Sequence, residues 1–194
     1  YSRIRPWPAP VDFNIRQALF RDVQLESNDI FAVNGKQVLF RAWKHKVDSD
    51  LIIPEGYTVV FEAGAELYFT GEAAFISRSA VQFYGTEEQP VKLVSENKKA
   101  NGFTVLQNRE QSNLNYVIFD GLNTLNKKGW SRTGAVSFYE ADVNLNRCVF
   151  RNIPCEDALN TVRSTFFFVK CHFFNLEYNA FVIDFFKGEI RATS

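Results

Sequence analysis

The chain has 194 residues, 46% of them hydrophobic with 20 Phe, which suffices for one domain with a buried core and excludes a disordered segment. Lys and Arg together number 22, as do Asp and Glu, and this balance argues against nucleic-acid binding, which needs clustered positive charge. No window approaches the roughly 20 apolar residues that span a bilayer, so membrane insertion is not expected.

The first 35 residues differ in character from the rest of the chain. Residues 1–10 hold three of the six prolines and are expected to be extended. Residues 14–25 place apolar side chains at helical spacing. A stack of strands needs its open end covered, because free strand edges aggregate. We therefore predict that residues 1–35 form an N-terminal cap on a solenoid that comprises residues 36–194.

Short apolar runs separated by turn signals follow in residues 51–94. Leu51 to Ile53 and Val59 to Phe61 are two such runs, and the turn sequence Pro54-Glu-Gly56 separates them. Runs this short, rich in aromatic and β-branched residues, predict strands. No long helical period lies between them, so there is no room for helical crossover connections.

A 23-residue repeat in the last third of the chain is the strongest signal in the sequence. Residues 134–150 superpose on residues 157–173, and Leu145 then coincides with Phe168. One coil of about 22 residues holds three short strands, each about 4.8 Å from its copy in the next coil. The sequence therefore predicts an all-β fold, a right-handed parallel β-helix with coils of about 22–23 residues. Residues 123–133 interrupt it as an inserted loop of about nine extra residues.

Stacking of the repeats also predicts individual neighbours. Cys148 and Cys171 lie one coil apart with parallel side chains, a geometry that favours buried free thiols over a disulfide. The other two expected neighbours are an ordinary surface ion pair and an amide ladder: Glu140 with Arg163, and Asn152 with Asn175. A further coil begins at Asn179, and the chain stops partway through it. We expect this end to be truncated and covered by further coils, another domain or another subunit.

The chain resembles bacterial right-handed β-helix proteins of the pectin-lyase-like superfamily. The segments that carry the resemblance are Leu51-Ile-Ile-Pro-Glu-Gly56, Gly85-Thr86, Glu156-Asp-Ala-Leu-Asn160 and Asn179-Ala-Phe-Val-Ile-Asp184. The resemblance covers roughly residues 36–190 and implies a fragment of a longer protein that is secreted or on the cell surface, with the periplasm as an alternative. Because the superfamily includes lyases, hydrolases, epimerases, adhesins and inert stalks, it does not fix an activity.

A lyase or epimerase of this superfamily would need Ca²⁺ held by carboxylates and a base that takes a proton from the sugar. The candidate bases are Arg147, Lys170 and Arg163. Glu156 and Asp157 open one coil, but they also suit a turn, where Asp157 would accept backbone hydrogen bonds. No group of three carboxylates on neighbouring coils is visible, so no metal site is assigned.

Aromatic side chains on a rigid scaffold can stack against sugar rings. Trp130 lies on the inserted loop near basic residues, although packing back onto the coil explains it equally well. The candidate binding residues are Trp130, Tyr139, Glu156, Asp157 and Asp184. The favoured hypothesis is a non-catalytic secreted or cell-surface module that scaffolds or binds polysaccharide. The alternative is a polysaccharide lyase or epimerase acting on uronic-acid polymers, which would use Ca²⁺.

Overall fold

The computed structural model describes residues 24–127, 130–131, 133–184, 187–191 and 194. In this part of the chain the fold is all β, and parallel strands stack into a β-solenoid of about six coils without a helix. The all-β parallel solenoid predicted from the 23-residue repeat is therefore confirmed. Among the described residues, no helix is long and apolar enough to cross a membrane.

Three columns of parallel strands run along the solenoid. The first column contains β4 (Leu51–Ile53), β7 (Phe75–Ser77), the first parts of β10 (Phe103–Asn115) and β14 (Gly134–Asn146), β16 (Asp157–Val162) and β19 (Asn179–Asp184). The second contains β2 (Gln37–Phe40), β5 (Thr58–Phe61), β8 (Ala80–Tyr84), the second parts of β10 and β14, β17 (Thr165–Val169) and β20 (Lys187–Arg191). The third contains β3 (Lys44–Val47), β6 (Glu66–Phe69), β9 (Val91–Val94), β11 (Val117–Asp120), β15 (Val149–Arg151) and β18 (His172–Phe174).

The strand register follows the repeat. Leu145 pairs with Phe168, 23 positions further along the chain, and Phe150 pairs with Phe173 at the same offset. Asp157 pairs with Asn179 after 22 positions. Two irregularities lie in the coil before these repeats. One is a bulge at residues 109–111, and the other is the inserted loop, which forms the hairpin β12 (Asn126–Lys127) and β13 (Trp130–Ser131).

Stacked phenylalanine rings fill the interior. The Phe61 ring centroid lies 4.2 Å from that of Phe40 and 4.1 Å from that of Phe83, with nearly parallel planes. The Phe150 centroid lies 4.9 Å from that of Phe119. In-register stacking places like side chains on each other, so the abundance of Phe is explained by repeated ring contacts in the core.

Left-handed backbone conformations mark corners between strands, and most of the described residues that adopt them are not glycine. Tyr116, Arg147 and Lys170 form one such corner on successive coils, with φ of 47°, 54° and 52°. Each non-glycine residue in this region carries a conformational cost. Hydrogen bonds between coils offset the cost: the Arg147 amide donates to the Val169 carbonyl at 2.8 Å, and the Lys170 amide donates to the Arg191 carbonyl at 3.0 Å.

The neighbours predicted from stacking are confirmed. Cys148, Cys155 and Cys171 are buried free thiols. The Arg163 Nη1 atom lies 3.1 Å from a Glu140 carboxylate oxygen, and the Asn175 side-chain amide donates to the Asn152 side-chain oxygen. A second amide ladder on the outer face was not predicted, and it joins Gln82, Asn113 and Asn144 through hydrogen bonds of 2.9 Å.

The first coil carries an antiparallel strand on its N-terminal side. Residues 1–23, and with them most of the predicted helical segment, lie outside the described residues. The strand β1 (Ala32–Asn34) pairs antiparallel with β2, so it occupies the edge from which the parallel stack starts. The Phe31 ring packs 5.6 Å from Phe40 at the same end. The cap of residues 1–35 remains a prediction.

Candidate binding site on the outer face

The inserted loop folds back onto the outer face of the first column. Leu125 of this loop is fully buried, and it packs with Ala74, Ile76 and Leu106, whose side chains point away from the solenoid interior. The apolar contact forms a small second core outside the coils. Because alternate residues of a strand point to opposite faces, this core uses the strand positions that do not line the interior.

Polar contacts fix the loop in the same position. The Lys127 ammonium lies 3.0 Å from a carboxylate oxygen of Asp50 and donates to the Glu72 carbonyl at 2.7 Å. The Asn126 amide donates to the Asn101 side-chain oxygen at 3.1 Å. The loop is therefore held to earlier coils at several points. We call the edge of the loop that carries Thr124, Ser131 and Thr133 the rim.

A cavity of about 340 Å³ lies beside this rim. Its described lining combines hydroxyls, a carboxylate, an amide and an aromatic ring: Thr124, Ser131, Thr133, Tyr139, Glu156, Asn160 and Val162. The first three belong to the inserted loop, Tyr139 belongs to β14, Asn160 and Val162 belong to β16, and Glu156 immediately precedes β16. The volume lies at the lower end of the range of about 300–1,000 Å³ that is typical of small-ligand pockets.

Two buried polar atoms in the lining have no hydrogen-bond partner among the described residues. Asn160 is only 9% exposed, and its amide nitrogen donates to the Thr133 hydroxyl at 2.7 Å. The side-chain oxygen of Asn160 and the hydroxyl of Thr124 are buried without a partner. A buried polar group left without a hydrogen bond costs about 1–3 kcal/mol, so the packing between the loop and β16 carries this cost.

The charged side chains described around the cavity are mostly acidic. Glu156 is exposed at its edge, and Asp184 pairs in register with Val162 of the lining. Arg163 follows Val162, but its guanidinium contacts the Glu140 carboxylate at 3.1 Å and the Tyr139 hydroxyl at 3.4 Å. The guanidinium of Arg163 is thus already paired.

The candidate binding residues fall into three groups. Tyr139 and Glu156 line the cavity, and Asp184 lies one coil further along the same face. Asp157 is 2% exposed, and its carboxylate accepts a hydrogen bond from the Asn179 amide at 3.2 Å, so it is enclosed in the coil. The side chain of Trp130 lies outside the described residues.

The candidate bases lie at two different corners of the coil. Arg163 is at the corner next to the cavity, whereas Arg147 and Lys170 stack at the corner that follows β14 and β17. Arg147 donates a hydrogen bond to the Tyr116 hydroxyl and lies 3.8 Å from the Glu87 carboxylate. The structure therefore does not bring the three basic residues together into one site.

A buried thiol, Cys155, directly precedes Glu156 of the cavity lining. Burial raises the pKa of the Cys155 thiol, beside Glu156, to about 11, so this thiol stays protonated and a poor nucleophile at neutral pH. Within the described ranges, no group of three or more His, Cys, Asp or Glu side chains could hold a metal ion.

Sequence reasoning missed Thr124, Thr133 and Asn160. Asn160 stacks on Ser137 of the preceding coil, so no ladder of identical residues distinguishes it. The threonines come from the inserted loop, whose path the repeat does not specify. The only available signal was the position of the insertion itself, which places extra residues next to β14 and β16.

Fold and site together define a parallel β-solenoid with a polar pocket between an inserted loop and the outer face of one strand column. No family profile, characterised protein or solved structure significantly matches the chain.

Proposed function

We propose that this chain is a secreted or cell-surface module, a right-handed β-helix that binds polysaccharide through its outer face without catalysing a reaction. The right hand is expected because connections between parallel strands are right-handed in about 98% of cases. Placement outside the cell rests on the resemblance to bacterial β-helix proteins.

The observation that carries the proposal is the polar lining of the cavity, in which hydroxyl and amide groups lie beside an aromatic ring. Asn160 and Thr124 both line the cavity, and the side-chain oxygen of the first and the hydroxyl of the second are buried without a hydrogen-bond partner among the described residues. Sugars present many hydroxyl groups that both donate and accept hydrogen bonds, which is the complement that such a surface needs. The Tyr139 ring adds an apolar wall against which the C–H face of a sugar can pack.

The position of the cavity supports binding to a long polymer. It opens on the outer face of the first column, where the neighbouring coil presents Val182 and Asp184 in register. Successive coils are about 4.8 Å apart, so a chain that leaves the cavity can follow the solenoid axis along this face. A rigid scaffold with an exposed loop is a common arrangement for binding sites.

A glycan array, followed by calorimetric titration of the glycans that bind, tests the proposal. Asn160→Ala and Thr124→Val should each weaken binding at least about tenfold, because each removes one polar atom of the cavity. Asn146→Ala is the matched control, because Asn146 belongs to β14 but bonds to Asn115 on the second column. Binding to no glycan, or binding unaffected by both cavity variants, would refute the proposal.

The same protein should be incubated with uronic-acid polymers and Ca²⁺ while the ultraviolet absorbance of unsaturated products is followed. We expect no increase in absorbance. A sustained Ca²⁺-dependent increase would identify a polysaccharide lyase instead.

A further inference from the structure

We infer that the outer face of the second column is a second glycan-binding surface, which takes an extended polysaccharide chain lying along the solenoid axis. Its centre is a row of four residues that pair in register on successive coils: Gln82, Asn113, Asn144 and Phe167. We call these residues the second-column row. The inference shares the ligand class with the proposed function, but it concerns a different face and does not depend on the cavity.

Hydrogen bonds between coils fix the amides of this row. The Asn113 side-chain nitrogen donates to the Gln82 side-chain oxygen at 2.9 Å, and the Asn144 nitrogen donates to the Asn113 oxygen at the same distance. Gln111, which is exposed, donates to the Asn144 side-chain oxygen at 2.9 Å. A primary amide has two N–H groups and two acceptor lone pairs, so the ladder uses only part of the hydrogen-bonding capacity of Asn113 and Asn144. Polar groups that are already ordered lose little conformational freedom when a ligand binds.

Exposed aromatic side chains flank the amides. Phe167 ends the row and is 42% exposed, and Tyr84, two residues after Gln82 on β8, is 57% exposed. Gln82, Asn113 and Asn144 are themselves only half-buried, so a ligand on this face can contact them. Aromatic rings pack against the C–H faces of sugars, and amides pair with sugar hydroxyls, so the row offers both kinds of contact that a glycan needs.

The size of the row favours a narrow ligand over a protein partner. Three coil steps separate Gln82 from Phe167, which is roughly 14 Å at about 4.8 Å per coil. Alternate residues of a strand are about 7 Å apart, so the row and the adjoining Tyr84 cover roughly 100 Å². A stable protein interface buries about 800 Å² on each partner. A glycan chain along the axis meets an aromatic ring at each end, whereas a monosaccharide reaches only one of them.

The row contains no charged residue, and two carboxylates beside it are already engaged. Glu189 lies in register with Phe167 on the next coil, and its carboxylate pairs with Arg191 at 2.6 Å. The Asp142 carboxylate accepts a hydrogen bond from the Thr165 backbone amide at 2.6 Å. Binding through hydrogen bonds and ring contacts changes little with salt, whereas the binding of a polyanion such as a nucleic acid weakens steeply. We therefore expect the affinity of this face to be independent of salt.

The dependence of affinity on chain length tests the extended binding mode. Sedimentation of the protein with insoluble cellulose, chitin and xylan, together with the glycan array, identifies the polymer to be used. Calorimetric titration then compares its monosaccharide with oligomers of increasing length. We expect the affinity to rise at least about tenfold once the oligomer spans the row, which corresponds to about 1.4 kcal/mol. The affinity for the long oligomer should stay the same when the salt concentration is raised.

Side-chain substitutions assign the binding to this face. Phe167→Ala and Tyr84→Ala should each weaken binding of the long oligomer at least about fivefold, and Gln111→Ala should weaken it roughly threefold. Phe174→Ala is the matched control, because Phe174 is 49% exposed but belongs to β18 in the third column. The control should bind the oligomer as tightly as the unmodified protein.

The two surfaces fail separately. Binding that Asn160→Ala weakens, and that Phe167→Ala and Tyr84→Ala leave unchanged, would overturn this inference and leave the proposed cavity intact. Binding that only the two aromatic variants weaken would support this inference and refute the cavity. Equal affinity for the monosaccharide and the long oligomer, or a steep loss of affinity in salt, would overturn the extended binding mode. Absence of binding by every glycan would overturn the proposed function and the inference together.

Discussion

Replacement of Phe61 by alanine tests whether the stacked rings stabilise the solenoid. The Phe61 side chain is fully buried, and its ring centroid lies 4.2 Å from that of Phe40 and 4.1 Å from that of Phe83. A buried phenylalanine removes roughly 150 Å² from water, which at about 25 cal/mol per Å² is worth about 4 kcal/mol. We therefore expect Phe61→Ala to lower the free energy of unfolding by about 4 kcal/mol, within the range of about 3–5 kcal/mol typical of such truncations.

Urea unfolding monitored by circular dichroism measures this change. Phe167→Ala is the control, because Phe167 belongs to the same column but points outwards and is 42% exposed. The control should lose about 1 kcal/mol or less. Since each coil contacts only its neighbours, hydrogen exchange in Phe61→Ala should accelerate most in β2, β5 and β8. A loss below about 2 kcal/mol, or one no larger than that of the control, would refute the role assigned to the ring stack.

Three further predictions concern the inserted loop and the thiols. Leu125→Ala should weaken the anchoring of the loop by about 2 kcal/mol. Proteolytic cleavage of the loop should then be roughly 30-fold faster, while the free energy of global unfolding stays unchanged. An unchanged cleavage rate would contradict the anchoring. Cys148, Cys155 and Cys171 should be unreactive towards a thiol reagent in the native protein, whereas the denatured, unreduced protein should show three free thiols, and finding only one would indicate a disulfide. Burial raises the pKa of the Cys155 thiol to about 11, so the unfolded chain loses this proton at lower pH than the folded protein does. The contribution of this thiol to the free energy of unfolding should be constant below the ordinary thiol pKa of about 8.5 and should fall as the pH rises towards 11. In Cys155→Ala, the free energy of unfolding measured with urea should decrease less over this pH range than in the unmodified protein. The same pH dependence in both proteins would contradict the prediction.

The solenoid was predictable because the last coils repeat without interruption. The match between residues 134–150 and residues 157–173 requires in-register parallel strands, and this requirement placed Leu145 on Phe168 correctly. The ladder through Gln82, Asn113 and Asn144 was not predicted, because the coils that carry these residues depart from the 23-residue repeat. The inserted loop lengthens the interval between Asn113 and Asn144 to 31 positions instead of 23, and the bulge at residues 109–111 lies in the interval between Gln82 and Asn113, which also spans 31 positions.

The candidate site was predictable only in part. Tyr139 and Glu156 were selected as an outward aromatic residue and an acidic residue at a coil start, and both line the cavity. Asn160 was not selected, because the sequence does not distinguish an outward polar residue that faces solvent from one that faces a covering loop. That distinction depends on the path of residues 123–133, which is set by the burial of Leu125 and the anchoring of Lys127.

The irregular coil has a consequence for how such a protein can diversify. On both sides of the bulge and the inserted loop the interior pairing is preserved, as the matches of Phe103 with Val136 and of Leu114 with Leu145 show. Extra residues are accommodated entirely at the periphery, so their number and identity do not propagate into neighbouring layers. Residues 123–133 can therefore change in length or sequence while the strands that support them keep their alignment.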